Sequence, residues 1–117
     1  MNVSRCYHGS CAAANYVYVA GGQMGDKPIV YLQSIERINM NAIDDGWEEL
    51  PVSSSENFSP RSHVFMAGLS CNELVIIGGK EKRGNRGDGY ILDIPNMHLN
   101  PVIKNTRESI KFAAFAN

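Results

Sequence analysis

Three histidines, three cysteines, one basic run and two acidic pairs are the groups in this sequence that could do chemistry. His8, His63 and His98 could ligate a metal, and Cys6 and Cys11 beside His8 suggest zinc. The cysteine spacing matches no common zinc module, however, and a fourth ligand is missing. His8 and His63 each follow an arginine, Arg5 and Arg61, at similar places in the chain, which points to one structural role played twice. Asp44-Asp45 and Glu48-Glu49 could hold a cation or exchange protons, but they flank an expected surface turn and outer strand, where carboxylates are normally solvated. No G-x-S-x-G or H-E-x-x-H signature occurs. Neither a metal nor a cofactor is expected.

The basic run is Lys80-Glu81-Lys82-Arg83-Gly84-Asn85-Arg86-Gly87-Asp88-Gly89, read as a long solvated loop able to meet a partner. Its Arg86-Gly87-Asp88 triplet matches an integrin-binding tripeptide, an incidental match in a chain without a secretion signal. Gly84, Gly87 and Gly89 fit no phosphate-binding spacing. Eleven basic against twelve acidic residues leave a net charge of −1, so neither nucleic acid nor a membrane surface is expected as partner. The apolar runs are too short to span a bilayer. An odd cysteine count and an N-terminus without a basic segment and apolar core predict reduced thiols and a cytoplasmic or nuclear setting.

The elements that would position these groups repeat. Tyr16-Val17-Tyr18-Val19-Ala20-Gly21-Gly22 and Glu73-Leu74-Val75-Ile76-Ile77-Gly78-Gly79 are both short apolar runs closed by paired glycines, and both read as buried strands. Upstream of each lies an arginine and a strand of small and apolar residues, Cys11 to Asn15 and Val64 to Gly68. Small side chains there imply that another backbone comes close. Arg107 begins the pattern a third time, leading into Ile110 to Asn117. Separations of 56 and 46 residues between Arg5, Arg61 and Arg107 bracket a period of about 50. Each unit has room for two further strands: Ser34 to Asn39 and Trp47 to Leu50 in the first, Tyr90 to Ile94 and a weaker Leu99 to Ile103 in the second. Four strands at this period describe one blade of a β-propeller.

In this order the residues resemble Kelch repeats: the Gly21-Gly22 and Gly78-Gly79 pairs, the Ser34-Ile35-Glu36-Arg37-Ile38-Asn39 strand, Trp47 with Leu50-Pro51, and Pro60-Arg61 opening the next unit. Ile38 replaces the family's usual tyrosine, and the second unit has no tryptophan. The expected fold is all-β: four-stranded antiparallel blades of an incomplete Kelch-type β-propeller, with a first blade over 1–58, a degenerate second over 59–105 and the first strand of a third over 106–117. A chain of this length then reads as a truncated piece of a larger ring. Arg5, Gly21, Gly22, Glu36, Trp47, Arg61, Gly78, Gly79 and Arg107 are the expected blade-forming residues. The resemblance implies a non-enzymatic protein-interaction module whose loops hold a protein partner, such as a ubiquitin-ligase or cytoskeletal component. The expected contacts are Asp26, Lys27, Lys80, Lys82, Arg83, Arg86 and Asp88, with the Ser53–Phe58 segment beside them. The alternative is part of a propeller enzyme, such as a Kelch-like sugar oxidase or epimerase.

Overall fold

The computed structural model describes residues 1–25, 27–54 and 58–103. The chain forms β1 (Gly9–Ala13), β2 (Tyr16–Ala20), β3 (Gln23–Met24), β4 (Val30–Tyr31), β5 (Ile35–Asn39) and β6 (Trp47–Glu49). It continues through β7 (Ser53–Ser54), β8 (Phe65–Ser70), β9 (Glu73–Glu81), β10 (Gly84–Asp93) and β11 (His98–Ile103). Among the described residues the only helical turn is a single 3-10 turn over Ile43–Asp45. No helix there is long and apolar enough to cross a membrane.

Among the described residues the fold is all-β and made of two blades. In the first, β1-β2-β5-β6 lie side by side in that order, all antiparallel. In the second, β8-β9-β10-β11 repeat that layout, and β7 adds a short parallel strand outside β11. The β3–β4 hairpin is a separate two-stranded sheet within the connection from β2 to β5.

Period-two patterning explains how the blades meet. Tyr18 and Ala20 on β2 turn to the same interblade core as Leu74 and Ile76 on β9 and Tyr90 and Leu92 on β10. Val75 and Ile77, one residue out of phase, pack with Ile103 in a second cluster on the other face of the second sheet. The inner strands come close enough that a Cβ on Gly9 would lie 2.5 Å from Val64 Cγ2 and 2.8 Å from the Val64 carbonyl oxygen. The small residues of the inner strand therefore admit a neighbouring backbone, as their composition predicts.

Two expectations about the second blade need correction. The Gly78-Gly79 pair does not end its strand, because β9 runs on to Glu81. The expected loop from Lys80 to Gly89 is instead a β-ribbon, in which Lys80 pairs with Asn85 and Glu81 with Gly84. Only Lys82 and Arg83 form the turn. A register shift between Arg86 and Gly89 separates this ribbon from the blade proper. Asp26, Arg107 and the expected strand over 106–117 lie outside the described residues.

Candidate functional site

Each blade is organised around one buried arginine. Arg5 Nη1 donates to the carbonyl oxygens of Gly21 (2.9 Å) and Ser34 (3.0 Å), while Nη2 donates to Ser34 Oγ (2.8 Å) and Glu36 Oε2 (2.6 Å). Both partners of the Arg5–Glu36 pair have fully buried side chains. Asn2 N also donates to Glu36, at 2.6 Å, so the N-terminal segment is tied to the same carboxylate. In the second blade Arg61 Nη1 donates to the Gly78 carbonyl (3.2 Å) and Asp88 Oδ1 (2.6 Å), and Nη2 to Ser59 Oγ (2.9 Å). The Arg61 guanidinium also lies over the Phe58 ring, 4.6 Å from its centroid.

The glycine pairs make these contacts possible. Gly22 and Gly79 hold φ of 101° and 114°, and a Cβ on either would fall 2.8 Å from the Cys6 carbonyl oxygen or 2.7 Å from that of Ser62. A side chain at either position would thus strain the backbone and push away the segment that carries the arginine. Gly21 and Gly78, at φ 66° and 68°, present the carbonyls that the arginines bond. The same bridges set the repeat register: Cys6 pairs with Gln23 as Ser62 pairs with Lys80. His63 is therefore the counterpart of Tyr7, not of His8 as its position after the arginine suggested. Tyr7 and His63 share left-handed φ values of 55° and 58°, their rings stack at 4.5 Å, and His63 N donates to the Tyr7 carbonyl. His8 is half-buried, and desolvation together with Arg5 lowers its pKa. His98 lies on β11, where Nδ1 sits 3.1 Å from Ser53 Oγ. Among the described residues no group of three or more His, Cys, Asp or Glu side chains could hold a metal ion.

The basic run divides into two parts. Asp88, expected at the surface, is buried and accepts from Arg61, from Arg86 Nη2 (3.1 Å) and from Tyr90 Oη (2.8 Å). Burial opposes its ionisation, but these hydrogen bonds outweigh burial and hold its carboxyl well below the usual carboxylate range. Tyr90 is pushed up to about 12 by burial and by the bond to Asp88. Arg86 extends the chain of charges to Glu81 Oε1 (3.4 Å), whose other oxygen accepts from Ser59 Oγ (2.8 Å). The Ser59 bond is the main cause that lowers the Glu81 pKa. Arg86 and Asp88 thus belong to the frame of the blade.

Lys27, Lys80, Lys82 and Arg83 remain exposed. Lys82 and Arg83 cap the ribbon, and among the described residues neither is in an ion pair. A groove of about 550 Å³ runs between this tip and the β3–β4 hairpin, lined by Ile29, Val30 and Tyr31 on the hairpin side and Glu81, Lys82 and Arg83 on the ribbon side, with Ser59 and Pro60 completing it. A larger hollow of about 770 Å³ opens onto core residues Ile35, Leu50, Phe58 and Leu99, and Glu49 is the charged residue among its described lining. Trp47 lies half-buried on β6 opposite Ile38, and its carbonyl accepts from Asn2 Nδ2 at 3.0 Å.

Ser59, Glu81 and Tyr90 went unrecognised as frame residues in the sequence. The available signal was the first blade itself: an acidic residue on the third strand faces the marker arginine, as Asp88 does on β10.

Two four-stranded antiparallel units packed through their inner strands and pinned by equivalent arginines define β-propeller blades. Residues 4–51 match the family model of the Kelch motif, and this segment, which carries the first blade with its arginine, is a Kelch repeat. No curated protein matches the chain.

Proposed function

We propose that this chain is a protein-interaction module with no catalysis of its own, in which the blades form a rigid frame and the projecting hairpins contact a partner protein. The observation that carries this reading is the ribbon from Lys80 to Arg86. Its tip, Lys82 to Asn85, extends β9 and β10 beyond the Glu81–Arg86–Asp88 ion pairs and buries no side chain, so the core gains nothing from those four residues. Ordering residues that bury nothing costs conformational entropy, and a surface role accounts for retaining them. Kelch repeats generally mediate protein–protein contacts, which supports a protein partner. A ubiquitin-ligase or cytoskeletal component and a cytoplasmic or nuclear setting complete the proposal.

Lysine cross-linking of the protein in its cells, followed by mass spectrometry, tests it. Cross-links from Lys27, Lys80 and Lys82 to one recurring partner protein are expected. Absence of any recurring cross-linked partner would overturn the reading, and small-molecule turnover by the purified protein would then favour a catalytic one.

A further inference from the structure

The groove between the two hairpins has walls of different chemistry. Ile29 and Val30 are 44% and 45% exposed on a hairpin that joins neither blade sheet. The Cys6–Gln23 bridge ties this hairpin to the first blade, yet Ile29 and Val30 stay outside the core. The facing wall presents Lys82 and Arg83, while Glu81 is occupied by Ser59 and Arg86. An apolar wall opposite a cationic wall suits a chain that offers the two chemistries on opposite sides. An extended strand does this when its residues alternate, because successive side chains point in opposite directions.

We propose that this groove binds an extended segment of a partner protein in which acidic and apolar residues alternate, the carboxylates facing Lys82 and Arg83 and the apolar residues facing Ile29 and Val30. The proposal rests on the interaction reading and adds the place and the partner's chemistry. Charge complementarity selects the acidic residues. The apolar wall separates this mode from a general attraction of anions to a basic ribbon.

The probe is a short fluorescein-labelled peptide alternating Glu with Val, titrated against the full chain by fluorescence anisotropy. Two control peptides replace Glu by Lys or Val by Ser. The Glu–Val peptide is expected to bind most tightly. Reversing both cations, Lys82→Glu with Arg83→Glu, should weaken it by about tenfold or more and turn the preference toward the Lys–Val peptide. The milder pair Lys82→Ala and Arg83→Ala should give a smaller loss in the same direction, and Val30→Asp should reduce the Glu–Val peptide to the level of the Glu–Ser control. Equal binding of all three peptides to the wild-type chain would overturn the proposal, as would unchanged Glu–Val binding in both the charge-reversed and the alanine double variants. A partner cross-linked equally to wild-type and charge-reversed protein would sink the groove assignment and leave the interaction reading standing. Absence of any cross-linked partner in wild type would sink that reading instead.

Discussion

The two blades solve one problem with different security. In the first, among the described residues, Glu36 is buried with Arg5 as its single cationic partner, and its other bonds come from backbone N–H groups of Asn2 and Val3. In the second, Asp88 is held by Arg61 and by Arg86, and Arg86 continues outward to Glu81. A buried carboxylate that loses its only cation is left uncompensated, whereas one with a second cation keeps part of its compensation. The first blade is thus a closed pair, and the second is a chain of charges running from the core to the ribbon.

Breaking the closed pair should have the largest effect. Arg5→Met is expected to cost about 3–5 kcal/mol, the range for removing one partner of a buried ion pair, measured by urea unfolding. Arg61→Met should fall at or below the bottom of that range. If the second cation is the reason, Arg61→Met combined with Arg86→Ala should destabilise more than the sum of the single changes, by about 0.5–3 kcal/mol in a double-mutant cycle. Strict additivity would show that Arg86 gives no reserve.

Acid should next test the carboxylate of the second blade. The Asp88 carboxyl has a folded pKa below its unfolded value of about 3.9. Its contribution is therefore complete above that pH and is lost as pH falls toward the folded value. Thermal melts of wild type should decline below about pH 4, and Asp88→Asn should be less stable at neutral pH with a shallower acid decline. An unchanged acid slope in Asp88→Asn would remove this carboxylate from the account.

Thiol reactivity gives a smaller, local comparison. Burial pushes the Cys11 thiol up to about 11, whereas Cys6 and Cys71 are exposed. Timed alkylation should label Cys6 and Cys71 first and Cys11 last. The smallest effect is expected at the ribbon tip, where Lys82→Ser should change stability by less than about 0.5 kcal/mol while weakening the peptide. A large loss of stability there would show that the tip itself, and not only Glu81 and Arg86, supports the core.

The strand order of the first blade was legible because each element carried its own local signal. Alternating β-branched and aromatic residues marked β2, paired glycines marked its end, and the Glu36-Arg37 strand and Trp47 followed in sequence. The ribbon was not legible, since Lys80 to Gly89 has no apolar alternation and several glycines, the composition of a loop. Its strand conformation comes from pairing across the hairpin, in which Lys80 opposes Asn85, and from the bridge of Lys80 to Ser62. Asp88 was misplaced for the same reason. Its partner Arg61 is distant in sequence and becomes a neighbour only when β10 folds beside β9.

Sequence alone determined the repeat: where each arginine stands, where the backbone turns through left-handed glycines, and which strands carry apolar residues. These features depend on local sterics and on burial period, and both act over a few neighbouring residues. Tertiary structure decided which carboxylate neutralises each arginine, which basic residues remain at the surface, and that an apolar hairpin stands across a groove from Lys82 and Arg83. Those outcomes depend on distances between residues far apart in the chain, and electrostatic compensation exists only once folding has brought the charges together out of water.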